Sequence, residues 1–298
     1  TWEEVVQLAK ELEKSGVSII NTGIGWHEAR VPTIGTMVPR AAFSWVTEKM
    51  RKEISIPLCT TNRINDPQVA NDIISSGQSD MVSMARPFLA DPNLVNKAKE
   101  GRSDEINTCI ACNQACLDHV FQGKDASCLV NPIACNESAY EFRALTKVKK
   151  LAVIGAGPAG CSFAIEAAKR GHQVELFDRE SELGGQFNLA KTIPGKEEFY
   201  ETLRYFNVML KKYEVKIHLS TDVTAKTLEN KGFDEIILST GITPRKISFE
   251  GSDSNKVLGY LDVLRDKKEV GKSVAVIGAG GIGFDVSEVL VHNPDSTK

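Results

Sequence analysis

The chain has 298 residues, 42% of them hydrophobic, and a formal net charge of -3. That length implies more than one folded unit, and the charge gives no sign of a surface built for nucleic acid or another polyanion. No apolar run is long enough to span a membrane, and the opening residues are acidic and helical rather than signal-like.

The predicted elements alternate helix and strand through the first hundred residues. TWEEVVQLAKELEKSG reads as an amphipathic helix opened by a capping box of Thr1 with Glu4. VSIINTGIG is expected as a buried strand, FSWVTEKMRKEI as a helix and IPLCTTNRI as a strand. DPQVANDIISSG is expected as a helix capped by Asp66 with Pro67 in its first turn. DMVSMARPFLA should be a strand running into a loop, and DPNLVNKAKEG a helix. Repeated α/β units imply parallel strands with right-handed crossovers.

Three residues follow from that pattern. His27 falls just past the strand NTGIG, on the face where a (β/α)8 barrel places its chemistry. An imidazole there can orient or protonate a substrate, although a lone histidine is more often structural. Arg63 and Arg86 end the next two strands, where arginine suits an FMN phosphate or pyrimidine edge. The bland alternative is a surface-loop arginine.

Residues 101 to 148 break the rhythm. Seven cysteines occur in the chain, and five lie between 109 and 135. That clustering favours a metal site in a reduced, cytoplasmic compartment over a disulfide scaffold. Cys109, Cys112, Cys116 and Cys128 form C-x2-C-x3-C-x11-C. This spacing is neither paired zinc knuckles nor a ferredoxin pattern, so by itself it leaves zinc and an iron–sulfur cluster open. The glycine-rich loops further along, GAGPAG and GAGGIG, suggest a flavin neighbour and favour the cluster, because redox-silent zinc would do nothing for electron flow. Cys59 and Cys161 read as packing residues.

From Leu151 a second α/β region begins, with LAVIGAGPAG, a helix through Arg170, and the strand in GHQVELFD. Gly155, Gly157 and Gly160 form G-x-G-x-x-G between strand and helix. The first glycine permits the turn, the second the approach of a pyrophosphate, and the third close packing of helix on strand. Asp178, at the end of the next strand, should bind ribose hydroxyls. Thr240 and Gly241, after the strand EIILS, should close a flavin site. A second loop carries Gly278, Gly280 and Gly283 in SVAVIGAGGIG, expected as another strand, turn and helix. Two such loops suggest a bound flavin and a nicotinamide. The chain enters on a helix with no strand before it and stops soon after the second loop, so an internal piece of a longer protein is expected, inactive alone.

The motifs NTGIGWHEAR, TTNRINDPQVA, DMVSMARPFLAD, EINTCIACNQACLD, SCLVNP, GAGPAG, GGQFN, IPGKEEFYETLRY and GGIGFD together resemble the bacterial 2,4-dienoyl-CoA reductases. These are iron–sulfur flavoenzymes akin to old yellow enzyme and trimethylamine dehydrogenase. The resemblance covers nearly the whole chain. It implies the C-terminal part of an FMN-bearing TIM barrel over 1–104 and a 4Fe–4S segment and linker over 105–148. A Rossmann-like FAD domain over 149–270 and the start of an NADP-binding domain over 271–298 would follow. Electrons would run from NADPH to FAD, through the cluster to FMN, and then as hydride to the 2,4-dienoyl-CoA thioester. No obligate protein partner is implied. His27 matches the active-site histidine, and Glu28, Ala29 and Arg30 line the substrate site. The four cysteines match the cluster ligands, Arg63 and Arg86 match FMN contacts, and Gln186 falls near the isoalloxazine. The family's proton-donating tyrosine lies on an earlier strand that this sequence lacks. NADPH rather than NADH rests on the resemblance alone. The rival readings are a related iron–sulfur flavin oxidoreductase for other enoates or amines, and a zinc-stabilised, non-catalytic binding module.

Overall fold

A computed structural model describes residues 1–140, 144–245 and 247–292. Contacts divide the chain into two compact units, Thr1–Phe142 and Arg143–Lys298. The cysteine segment therefore packs with the first unit, and the second glycine loop belongs to the second.

In the first unit, α1 (Trp2–Lys14) opens with the Thr1–Glu4 capping box. Its apolar face carries Trp2, Val6 and Ala9 onto Met50 and Leu58, so its amphipathic stripe is what seats it. The strands β1 (Ile20–Thr22), β2 (Leu58–Thr60) and β3 (Met81–Val82) pair in parallel in that order. Between them lie α2 (Ser44–Met50) and α3 (Pro67–Ser75). Asp66 caps α3, its carboxylate accepting from the amides of Gln68 and Val69. Beyond β3 come α4 (Arg86–Ala90), α5 (Leu94–Lys99) and α6 (Leu117–Phe121).

Two expectations in this unit need correction. The first strand is not buried throughout: it is three residues long, and Asn21 at its centre is exposed. The stretch after β3 is not a loop. Pro87 occupies the first turn of α4, where its missing N–H costs nothing.

In the second unit, β4 (Lys150–Ile154) leads through the first glycine loop into α7 (Pro158–Lys169) and β5 (Gln173–Phe177). There follow α8 (Phe187–Ala190), α9 (Phe199–Lys212), β6 (Lys216–His218), α10 (Ala225–Leu228), β7 (Glu235–Leu238), α11 (Tyr260–Leu264) and α12 (Gly281–Val291). The parallel sheet has the order β6-β5-β4-β7. Its central strand is a continuous apolar run, buried at Leu151, Ala152 and Val153, as both faces of such a sheet require. Leu176, Cys161, Ala164, Ile165, Phe206 and Leu210 fill the space under α7 and α9.

The expected strand SVAVI is not formed among the described residues. Val274, Val276 and Ile277 are exposed there, and no neighbouring strand pairs with them. A strand-forming sequence without a ladder partner gains little from extending.

Candidate functional site

Two sites are built, one in each unit. In the first unit, Cys109, Cys112, Cys116 and Cys128 line one small, largely enclosed cavity together with Arg86, Asn113 and Ile110. The chain turns tightly to do this: Ala111 and Asn113 both adopt positive φ, at 53° and 62°. Asn65 anchors the loop from below, its amide donating to the Cys109 carbonyl at 2.7 Å. Burial pushes the Cys109 thiol up, with the Arg86 charge pulling the other way. Burial raises Cys112 as well, and pushes Cys128 up to about 11. Among the described residues no three His, Cys, Asp or Glu side chains converge where one ion could bind them. The four thiols stand around the cavity without forming a single-ion site.

Arg86 donates through Nη1 to the Ile34 carbonyl at 3.1 Å and to Oδ1 of Asn113. Arg63 is buried, and donates to the Val38 carbonyl at 2.7 Å and to the Thr36 carbonyl at 3.4 Å. Both arginines thus hold the segment between β1 and α2 in this structure. Sequence reasoning placed them on FMN and missed these contacts, because a carbonyl partner 25 to 52 residues away leaves no pattern.

His27 is exposed on the loop that follows β1, with Glu28 and Arg30 exposed and Ala29 half-buried beside it. Its ring meets that of Phe121 on α6, centroids 6.0 Å apart. Trp26 and Phe121 expose 71% and 64% of their surface, so this end of the unit is apolar and open.

In the second unit the first glycine loop has the form that a dinucleotide needs. Gly155 has φ +106°, and a Cβ there would lie 2.3 Å from the Ser239 carbonyl oxygen. A Cβ on Gly160 would lie 1.9 Å from the Gly155 carbonyl oxygen. Gly157 has nothing within 4 Å of its Cβ position. It caps α7, so the open side faces a helix N-terminus, where an anion is favoured. The Asp178 carboxylate accepts from Ala156 N–H at 2.6 Å and from Glu180 N–H at 2.8 Å. It therefore holds the glycine loop, with lone pairs left for ribose hydroxyls. Gln186 donates to the Ile242 carbonyl at 3.4 Å, which brings it beside the return that carries Thr240 and Gly241, both exposed. Ser239, which sequence reasoning passed over, donates to the carbonyls of Ile154 and Gly155, both at 2.9 Å. A cradle of this shape fits a pyrophosphate.

The second loop repeats the backbone. Gly278 has φ +116°, Gly280 caps α12, and a Cβ on Gly283 would lie 2.0 Å from the Gly278 carbonyl oxygen. Lys196 pairs with Asp285 at 2.6 Å and ties α12 to the segment before α9.

Known proteins resemble both units. Residues 1–105 match the NADH:flavin oxidoreductase / NADH oxidase family. Residues 149–293 match the pyridine nucleotide-disulphide oxidoreductase family. The chain is an α/β structure with parallel sheets, built on two oxidoreductase-type regions; the cysteines lie between the two matched stretches. It is 35% identical over 297 residues to a metal reductase of Desulforamulus reducens, covering 98% of this chain and 44% of that one. To an NADH oxidase of Thermoanaerobacter brockii it is 36% identical over 302 residues, covering 98% of this chain and 46% of the other. A solved complex of 2-naphthoyl-CoA reductase with 2-naphthoyl-CoA superposes with a TM-score of 0.93 at 33% identity, over 97% of this chain and 44% of that one. The chain thus spans less than half the length of these relatives. No described helix is long and apolar enough to cross a membrane.

Proposed function

We propose that the chain is part of a cytoplasmic, NAD(P)H-dependent flavin oxidoreductase that reduces a conjugated acyl-CoA thioester, with 2,4-dienoyl-CoA as its substrate and NADPH as its reductant. The observation that carries this reading is the enclosure of one cavity by four cysteines, in a unit whose first 105 residues match a flavin oxidoreductase family. A tetrahedral zinc ion would draw its four sulfurs to within about 3.8 Å of one another. Thiols spread round a cavity suit the larger four-iron cube, which supports the cluster over a zinc-stabilised binding module.

When bound, FAD, the cluster and FMN would carry electrons from NADPH to the thioester. The remaining work belongs to side chains of this chain. Cys109, Cys112, Cys116 and Cys128 hold the cluster. Gly157 lets the FAD pyrophosphate reach the backbone, and Asp178 takes the ribose. Arg63 and Arg86 shape the segment against which FMN lies. A ring nitrogen of His27 holds the proton donor or the substrate where the diene takes up its proton. The barrel geometry that the resemblance implies would set His27, Glu28, Ala29 and Arg30 on the substrate side.

The likeness to a naphthoyl-CoA reductase supports a thioester whose double bonds are conjugated. Other enoates or amines remain the competing substrates. The test is metal, sulfide and flavin analysis of anaerobically purified full-length protein, followed by turnover assays with NADPH. About four iron per chain are expected, lost in Cys116→Ser and kept in Cys161→Ser. Dienoyl-CoA should be reduced faster than naphthoyl-CoA, and amines should not be oxidised. Zinc without iron or sulfide, or turnover of amines alone, would sink the reading.

A further inference from the structure

We infer that Arg86 is the counter-cation of the cysteine-held cluster and raises its reduction potential. The inference rests on the cluster assignment proposed above and deepens it. Arg86 lines the same cavity as the four cysteines. Its guanidinium is fixed there by the Ile34 carbonyl and by Asn113, a residue of the cysteine loop itself. Asn113 is fixed in turn, its own amide donating to the Ile34 carbonyl at 3.1 Å. Among the described residues, no carboxylate pairs with Arg86. It is a half-buried cation whose hydrogen bonds go to neutral oxygens, and the remaining wall of the cavity is thiols and apolar side chains.

An isolated cation away from bulk water is costly unless something compensates it. Four thiolates around a four-iron cube leave a net negative charge, and one added electron makes it more negative still. A fixed positive charge at the cavity wall therefore stabilises the reduced state more than the oxidised one. The electron enters the cube; no proton moves and no bond to Arg86 forms. Arg86 acts on the potential by charge and position, as a positioning residue would, without ligating iron.

The experiment is a potentiometric titration of full-length wild-type, Arg86→Lys and Arg86→Gln proteins, with the reduced cluster followed by electron paramagnetic resonance. Iron, sulfide and both flavins are measured on the same samples. The cluster midpoint should fall in Arg86→Gln. It should fall less in Arg86→Lys, which keeps the charge but not the guanidinium's placement against the Ile34 carbonyl and Asn113. If Arg86→Gln sheds its iron, Arg86→Lys decides: retained iron with a lowered midpoint supports the inference. An unmoved cluster midpoint in iron-replete variants overturns it, and so does a change confined to FMN content or FMN potential. Iron loss from Arg86→Lys as well would make the role structural and overturn it too. Wild-type protein that lacks iron would instead overturn the cluster reading.

Discussion

The ring of His27 stands edge to face with that of Phe121, the two planes inclined at 68°. Phe121 ends α6, and the residue that caps the start of α6 is Cys116. A five-residue helix thus joins a proposed cluster ligand to the candidate active-site histidine. An aromatic pair of this kind contributes about 0.5–1.5 kcal/mol. If that energy holds the imidazole in place, Phe121→Leu should lower kcat roughly 2- to 12-fold, with KM and iron content unchanged. Phe121→Tyr should restore most of it. His27→Ala should cost ~100-fold or more in thioester reduction and leave NADPH oxidation by an artificial acceptor nearly intact. Steady-state kinetics with both acceptors checks this.

The first glycine loop predicts two different failures from neighbouring positions. A Cβ at position 157 meets nothing within 4 Å, so in Gly157→Val the fold should survive while FAD is lost. Gly160→Ala drives a methyl group into the Gly155 carbonyl at 1.9 Å. It should destabilise the unit by about 1–3 kcal/mol or more, whether or not FAD is supplied. Thermal melts and flavin content, measured together, separate the two. A Gly157→Val protein with full FAD would sink the placement of the pyrophosphate.

Asp178→Asn retains one oxygen but turns an NH2 group toward a backbone N–H. Two close acceptor contacts, to Ala156 and Glu180, become one. The unsatisfied donor should cost about 1–3 kcal/mol, seen as weaker FAD retention and a lower melting temperature. Asp178→Glu should fall between the two.

The half-buried thiols give a pH dependence to the metal-free protein. Burial raises Cys109 and Cys112, and Cys128 to about 11 from an ordinary 9.0. A group raised on folding contributes stability that is whole below its unfolded value and lost as pH rises through its folded one. Metal-free protein should therefore lose stability between about pH 9 and 11. Cluster ligation needs thiolates and releases protons, so reconstitution should be favoured as pH rises towards that window. Melts of metal-free and iron-loaded protein at stepped pH check this; a parallel decline in both would argue against thiol titration as the cause.

Much of the fold was legible because its signals are local. The Thr1–Glu4 box, the Asp66-Pro67 start and the spacing of Gly155, Gly157 and Gly160 each need only a few adjacent residues. The cysteine spacing likewise marked the four residues that share a cavity. What failed depends on partners far along the chain. SVAVI has the composition of a strand, but pairing is not encoded in five residues. The helix at Arg86 was hidden by Pro87, which reads as a breaker unless it falls in a first turn. Ser239 and Phe121 carry no motif, Asn113 stood in the cysteine motif only as a spacer, and each matters through residues that folding brings to it.

One carbonyl, that of Ile34, accepts from both Arg86 and Asn113. Thr36 donates to the Ile110 carbonyl at 3.2 Å, and Arg63 grips Thr36 and Val38 from beneath. The stretch around Met37 is therefore stitched to the loop that carries the cysteines. On the cluster reading proposed above, a molecule that never acquires iron would leave that loop with half-buried thiols and no central group to organise it, so these stitches would open more often. Met37, exposed between partly buried Thr36 and buried Val38, is then where a protease is expected to cut first. Cofactor delivery and the lifetime of the polypeptide would in this way be linked: molecules that remain empty would be removed, and loaded ones would persist.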